Sequence, residues 1–188
     1  MGRHKPRTKP TPGNHEYNAG SAAGAPGYFG YFGAAAGDPT KGYYSYDLGA
    51  WHLIVINNYV DMAAGSPQEQ WLRADLAAHP ERVHPRLLAR AALQPGGNGS
   101  AVRTQPMWQA LYDYGADVIL NGHDHDYERF APQTPTGVRD NVNGIREFVV
   151  GTGGNSLYTF PGGPIANSEV MSMSQLRCHQ DDAVADQL

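Results

Sequence analysis

A five-residue apolar run, Ala116–Leu120 (ADVIL), ends directly in the polar loop Asn121-Gly122-His123. A continuous apolar run that is too short for a typical helix is characteristic of a strand buried on both faces. Such strands occur in sheets covered by helices, and sites in these folds gather at the carboxyl ends of the strands. The run therefore predicts an α/β protein with polar site residues just after this strand.

The segment before residue 80 predicts a hairpin followed by a helix. Tyr43–Leu48 alternates aromatic and polar residues, Gly49-Ala50 predicts a turn, and Trp51–Ile56 is mostly apolar, which together indicate two paired strands. Ser66-Pro67 precedes QEQWLRADLAAH, a typical helix start with a serine cap and a proline in the first turn. Asp75 is the one polar interruption in the apolar face of this predicted helix.

Three further segments complete the predicted organisation. A second helix is expected from Thr104 through MWQALYDY to its end at Gly115, and a strand from Ile145 to Val150 precedes the glycine loop GTGG. The stretch AGSAAGAPGYFGYFGAAAGDPTKG (19–42) has no steady period, so we expect a surface loop there. Strands that alternate with helices indicate a layered α/β architecture without internal repeats.

Composition and charge narrow the possible functions. At 188 residues the chain suits one domain, and its 37 glycines and prolines predict many loops. A net charge of −4, with no basic block beyond GRHKPRTKP, argues against nucleic acid as a partner. Since no apolar stretch reaches about 20 residues, no membrane partner is expected. The start of the chain lacks the apolar segment of a secretory signal.

The single cysteine, Cys178, excludes an intramolecular disulfide framework and a thiolate cluster. Any metal ion must therefore be held by nitrogen and oxygen. The loop NGHDHDYERF (121–130) places His123 and His125 two positions apart. In an extended segment such positions face the same side, so both imidazoles are expected to point at one ion or a close pair of ions while Asp124 turns away.

Two imidazoles alone make a weak site, because transition metals usually take at least three protein ligands. The segment PGNHEY (12–17), predicted to lie in a turn, offers an amide oxygen, an imidazole and a carboxylate from Asn14, His15 and Glu16. Taken alone, this segment is better explained as a solvated loop, and the histidine pair is equally well explained by surface or satisfied histidines. The occurrence of both, in this order and about a hundred residues apart, is more specific.

The pair GNHEY and NGHDHDYER resembles the calcineurin-like metallophosphoesterases, and the residues Asp126-Tyr127-Glu128-Arg129 are similar to the purple acid phosphatase branch. The resemblance covers about residues 3–170. It implies a partial four-layer α/β/β/α sandwich and a phosphoesterase that hydrolyses phosphomonoesters with a metal-activated hydroxide. Two metal ions (Fe, Zn or Mn) would be its cofactors. Relatives of this branch are often exported.

The resemblance also implies roles for individual residues. Asn14 would bind one metal ion, His123 and His125 would each ligate one, and the catalytic His15 would contact the phosphate or protonate the leaving group. A surrounding set would orient these ligands or pack beside them: Glu16, Asp126, Tyr127 and Glu128. For Tyr127 a purely packing role is an equal alternative.

This chain departs from the family pattern at two places. The bridging aspartate and another acid should precede GNHE, but none of the thirteen residues before Asn14 is an aspartate. A strand that ends in a histidine ligand is replaced by ERVHPRLLARAALQPGGNGS (81–100), whose charges and prolines disfavour a buried strand. Codons permitted for Val83–Gly96, read one base later, encode an apolar peptide ending in His-x-Pro. We therefore hypothesise two compensating frame changes, which incompatible nucleotides at Ala89 or Arg90 would refute.

These departures predict a truncated phosphoesterase domain over residues 1–170 and a divergent, disordered tail over residues 171–188. With three neutral ligands we expect one bound ion or none, and weak or absent phosphatase activity. An alternative function is a non-catalytic metal- or ligand-binding remnant of the same fold. A nucleotide-binding module built on GTGG is disfavoured, because a third glycine and a following helix are missing. The sequence leaves the substrate and the oligomeric state open.

Overall fold

The computed structural model describes residues 3–18, 24–79, 87–89, 101–153, 156–157 and 164–172. In the described part of the chain the strands are β1 (Tyr44–Leu48), β2 (Trp51–Val55), β3 (Leu87–Ala89), β4 (Val118–Asn121), β5 (Tyr127–Phe130), β6 (Arg146–Val150) and β7 (Ser168–Ser172). The α-helices are α1 (Asn14–Asn18), α2 (Pro26–Phe32), α3 (Pro67–Ala77) and α4 (Ala101–Asp113). Short 3-10 turns span Lys5–Arg7 and Gly33–Ala36.

All seven strands form one mixed sheet in the order β1-β2-β3-β4-β6-β5-β7. The four central strands, β2, β3, β4 and β6, are parallel to their neighbours among these four. β1, β5 and β7 run antiparallel to their partners at the two sides of the sheet. The carboxyl ends of the central strands therefore meet at one edge, as the predicted α/β architecture requires.

Two helices cover one face of the sheet. The largest core cluster joins β2, β4, α3 and α4, and its most buried side chains are Ile54, Ile56, Leu72, Leu76, Met107, Trp108, Leu111 and Ile119. α3 starts where predicted, because the Ser66 hydroxyl accepts a hydrogen bond from the backbone N–H of Glu69 at 3.3 Å and Pro67 needs no N–H partner. The packing of α3 and α4 on this face fixes the positions of the central strands.

The hairpin and the two strands expected after residue 110 are confirmed. β1 and β2 pair so that Leu48 lies opposite Trp51 around Gly49, whose φ of +61° suits glycine. The predicted strands at 116–120 and 145–150 correspond to β4 and β6 within two residues. Gly115, at φ +66°, follows the end of α4 as expected.

Several expectations are wrong in detail. The stretch predicted as a featureless loop contains α2, because Tyr28 and Ala36 bury themselves in a small aromatic cluster. The segment GNHEY is not a turn, since Asn14–Asn18 forms one helical turn. α4 begins at Ala101, ahead of the predicted start at Thr104, and keeps Pro106 inside it.

The expectation that the segment 81–100 contains no buried strand is also wrong, because three of its residues form β3. The backbone of Leu87–Ala89 pairs with β2 on one side and β4 on the other. Backbone N–H and C=O groups inside a sheet require partners, and an inserted strand supplies them to both neighbours. The rest of Val83–Gly96 lies outside the described residues, as does the tail from residue 173.

β5 and β7 were not predicted. β7 continues to Ser172, two residues into the segment expected to be a tail. Within the described residues no helix combines the length and apolar character that a membrane crossing needs.

Candidate functional site

The predicted ligand segments lie at the same edge of the sheet. β4 ends at Asn121 and leads into the loop with His123 and His125, while β2, two strands away, ends on the same side. The α1 segment is attached at the end of β2, because the Tyr17 hydroxyl accepts a hydrogen bond from Asn57 Nδ2 at 2.8 Å. The topology therefore brings Asn14 to the edge that carries both histidines.

The loop at 122–126 is bent and not extended. The alternation of an extended segment therefore does not place the two histidines on the same side. His123 has φ +81°, a left-handed conformation that is uncommon outside glycine. The N–H of Asp126 donates to the carbonyl of Asp124 at 2.9 Å, which closes a tight turn around His125. Strained backbone of this kind persists only where the surroundings enforce it, and it concentrates at functional sites.

The glycine loop after β6 enforces this bend. The N–H of Gly151 donates to the carbonyl of Asp126 at 2.9 Å. A Cβ atom on Gly151 would lie 1.6 Å from the carbonyl oxygen of Asp124 and 3.4 Å from the Cα of His125. Gly151 therefore allows a backbone contact that no other residue permits, and GTGG supports the histidine loop.

The ring of His125 is oriented from the same side. Its Nδ1 lies 3.0 Å from the carbonyl oxygen of Ser156. Since a carbonyl can only accept, Nδ1 carries the hydrogen, and in the neutral ring the lone pair is on Nε2. Metal-ligating histidines are usually held in this way.

Four carboxylic acids lie buried beneath this edge: Asp124, Asp126, Glu128 and Glu147. Glu147 is the deepest, and it accepts hydrogen bonds from Asn121 Nδ2 and, at 3.1 Å, from Gln133 Nε2. Burial raises the pKa of Glu147 to about 8, and the nearby Glu128 and Asp124 act in the same direction. Glu147 is therefore protonated at neutral pH and ties β6 to β4 as a neutral group.

Burial also raises the pKa of Asp126 to about 6, with contributions from Asp124 and Glu128. Both of its carboxyl oxygens are buried without a hydrogen-bond partner in the described part of the chain, and so is Oε1 of Glu128. These acids lie on the buried side of the loop. Tyr127, between them in sequence, is half-buried on the opposite face of β5.

The N-terminal motif is more open to solvent. His15 and Glu16 are exposed and Asn14 is half-buried. The Glu16 carboxylate accepts a hydrogen bond from the N–H of Gly13 at 2.6 Å, which holds the turn that precedes α1. His15 is thus accessible to a solute at the sheet edge.

Ligand-type side chains also converge away from this edge. In the described residues, one group of three His, Cys, Asp or Glu ligand atoms lies within 4.8 Å of one another, and it consists of Asp47, His52 and His79. That group belongs to the hairpin and the end of α3, at the other end of the sheet. The edge with His123 and His125 offers imidazole and amide donors from His123, His125 and Asn14.

The group of Asp47, His52 and His79 is not predicted by the local sequence patterns. A signal for it exists: His52 interrupts the apolar strand β2, and Asp75 interrupts the apolar face of α3. Two polar residues on surfaces that pack together usually bond to each other, because a buried polar group without a partner is costly.

Comparisons with known proteins identify the family and the fold. The sequence model of the calcineurin-like phosphoesterases matches residues 3–127. Purple acid phosphatase 22 of Arabidopsis thaliana is 33% identical over 95 residues, which cover 47% of this chain and 22% of that protein. An uncharacterized protein of Mycobacterium tuberculosis is 28% identical over 191 residues, which cover 80% of this chain and 36% of that protein.

The solved structure of purple acid phosphatase PPD1 from yellow lupin seeds has the same fold. It superposes with a TM-score of 0.67 at 23% sequence identity, covering 87% of this chain and 34% of the lupin chain. The chain thus spans a fifth to a third of the length of these relatives. Because the family match extends over well over half of its residues, the chain belongs to the calcineurin-like phosphoesterase family, a family of hydrolases.

Proposed function

We propose that this chain carries part of the active site of a metal-dependent phosphomonoesterase. Asn14, His123 and His125 are its metal ligands, and His15 is the catalytic residue that meets the phosphate or protonates the leaving group. Glu16, Asp126, Tyr127 and Glu128 surround these groups. The substrate is a phosphate ester, and residues 1–170 form the phosphoesterase domain.

One observation carries this proposal: the bent loop that presents His125. The loop is held by Gly151 on one side, and the Nδ1 of His125 is directed at the carbonyl of Ser156. A solvated surface loop needs neither a glycine in contact with its backbone nor a fixed imidazole tautomer. A supported backbone and a fixed tautomer suit a ligand for a cation, because its lone pair must stay aimed at one point.

A cation bound here supplies Lewis-acid chemistry, polarising the phosphoryl group and activating water. The chain contributes the positions of the donors. The exposed His15 lies on the turn beside Asn14, where it can meet an oxygen of the ester. A protein with a net charge of −4 has little general attraction for an anion, so the bound cation also recruits the substrate.

The same donors predict limited activity. A single weakly held ion lacks the two-cation clamp on the phosphoryl oxygens, so we expect weak or absent turnover. The alternative is a non-catalytic metal- or ligand-binding remnant of the same fold. We expect the protein to be exported from the cell, as the resemblance to the purple acid phosphatase branch implies.

Metal titration and a phosphatase assay test the proposal. Metal-free protein is titrated with Zn²⁺ and Mn²⁺, and hydrolysis of p-nitrophenyl phosphate is followed. We expect His125→Ala to weaken binding at the sheet edge at least about tenfold, because it removes one of few ligands. The exposed His4 supplies a matched control, and His4→Ala should bind like the parent chain. Equal metal binding by the His125→Ala variant and the parent would refute the ligand assignment.

The activity assay separates the two candidate functions. Slow hydrolysis that chelator abolishes and that His15→Ala lowers supports a residual enzyme. Metal binding without hydrolysis supports the remnant. Rapid, chelator-sensitive turnover would contradict the expected impairment.

A further inference from the structure

A second set of ligand-type side chains lies at the opposite end of the sheet from His123 and His125. It occupies the corner where β1 ends, β2 begins and α3 ends, and it contains Asp47, His52 and His79. We propose that these three residues bind a divalent transition-metal ion such as Zn²⁺. The site is separate from the phosphoesterase edge, and it does not depend on catalysis.

The fold places these residues together for simple reasons. Asp47 lies directly opposite His52 in the β1–β2 register. Asp75 lies in the last turn of α3, and His79 follows two residues after the helix ends, where its Nδ1 contacts the backbone carbonyl oxygen of Asp75. The hairpin and the helix thus bring two imidazoles and two carboxylates into one corner.

Hydrogen bonds fix which atoms face a prospective ion. Asp75 Oδ2 lies 2.7 Å from His52 Nε2, while its Oδ1 accepts from the Ser45 hydroxyl at 2.7 Å. This arrangement of carboxylate and histidine is the one that commonly supports a metal ligand, since it leaves Nδ1 of the ring to point at the ion. His52 Nδ1 faces Asp47 Oδ1 at 2.8 Å.

His79 is oriented in a similar way. Its Nδ1 lies 2.7 Å from the backbone carbonyl oxygen of Asp75. A carbonyl only accepts, so Nδ1 carries the hydrogen, and in the neutral ring the lone pair is on Nε2. Both histidines therefore have one ring nitrogen engaged with Asp75.

The charges also match a dication. The His52 side chain is 2% exposed and lies between the carboxylates of Asp47 and Asp75. Without an ion, a proton must occupy the short contact between His52 Nδ1 and Asp47 Oδ1, because a carboxylate cannot donate. A dication bonded to His52 Nδ1 and Asp47 Oδ1 in place of this proton offsets the charge of both carboxylates.

Binding the ion requires short shifts of the ligand atoms and a rotation of His79. In tetrahedral zinc sites with bonds of about 2.0–2.1 Å, two ligand atoms lie about 3.3 Å apart. The pair formed by His52 and Asp47 must open by about half an ångström, and the widest pair, within 4.8 Å, must close by about 1.5 Å. The His79 ring now stacks on His52 with 3.9 Å between centroids, so binding turns His79 out of the stack. Water completes the tetrahedron.

The proposal is tested by measuring metal binding in a variant that lacks the histidines of the phosphoesterase edge. The parent for the experiment is the His123→Ala, His125→Ala double variant, purified without metal. Co²⁺ binding is followed by its visible absorption and Zn²⁺ binding by calorimetry. We expect one ion with a tetrahedral Co²⁺ spectrum, and a rise in Tm when Zn²⁺ is added, because an ion that binds only the folded state stabilises it.

Two partly exposed ligands provide the test variants, since changing the buried His52 risks unfolding. Asp47→Asn and His79→Gln should each weaken Zn²⁺ binding at least about tenfold and remove the rise in Tm, whereas His4→Gln should change neither. Unchanged affinity in both test variants, or no Zn²⁺ binding by the parent, overturns the proposal. Because the parent lacks His123 and His125, neither outcome depends on the phosphoesterase site.

Discussion

Gly151→Ala is expected to destabilise the fold by about 3 kcal/mol or more and to disrupt the histidine loop. The added Cβ would lie 1.6 Å from the carbonyl oxygen of Asp124, a distance that requires backbone to move. Because the loop at Asp124 carries His123 and His125, its displacement moves two proposed ligands at once. Thermal unfolding should show a fall in Tm of about 10 °C, and metal titration should show weaker binding at the sheet edge.

Gly153→Ala is the matched control for this substitution. It makes the same chemical change two residues further along the loop, where no atom of the described residues lies within 4 Å of the added Cβ. Its Tm and metal affinity should stay close to those of the parent chain. If Gly151→Ala and Gly153→Ala behave alike, the contact between the glycine loop and the histidine loop does not support the site.

The free energy of unfolding is expected to fall as the pH rises from about 4.5 to about 8 because of Glu147. Burial raises the pKa of this carboxyl from 4.5 to about 8. In this window the unfolded chain loses the proton while the folded chain keeps it, so the folded state binds more protons and stability decreases with pH. The stabilisation that Glu147 contributes to the folded state is fully present below about pH 4.5 and is lost as the pH rises to about 8. It amounts to at most about 5 kcal/mol.

Denaturant unfolding at a series of pH values measures this effect as a difference between variants. Glu147→Gln keeps a neutral group between Asn121 and Gln133, so its stability should fall less between pH 5 and pH 8.5. Glu169→Gln is the control, because ion pairing and hydrogen bonding with Arg146 lower the pKa of the exposed Glu169 and its titration lies below this window. A Glu147→Gln variant with the full pH dependence of the parent would show that Glu147 ionises freely in the folded state.

Local patterns predicted most of the regular elements. The hairpin at Gly49, the serine cap of α3 and the strands that end at Asn121 and Val150 follow from alternation, capping and apolar runs within single segments. Glycine-rich α2 and three-residue β3 have weak local signals, and both form through contacts with other parts of the chain. Short elements of this kind are decided by packing and by the backbone partners that neighbouring strands offer.

The candidate site, like the fold, could be predicted from the sequence only in part. The residue types and spacing of GNHE and GHDH predicted candidate metal ligands, and the alternation of strands and helices predicted that site residues gather at the carboxyl ends of the strands. The bend at His123, however, was not predictable from alternation, because the contact with Gly151 imposes it. The contact between His52 and Asp75 likewise joins two polar residues on otherwise apolar surfaces. Neither segment alone indicates which residue the other one contacts.

By itself, the sequence determined the family, the α/β class and the donors of the proposed phosphoesterase edge, because these depend on residue types and periodicities within short segments. Only the tertiary structure decided which backbone supports the His125 loop, why Glu147 stays protonated, and that Asp47, His52 and His79 share a corner. The physical reason is that hydrogen bonds, burial and ligand geometry depend on distances between residues far apart in the chain. Those distances are set by the packing of strands and helices.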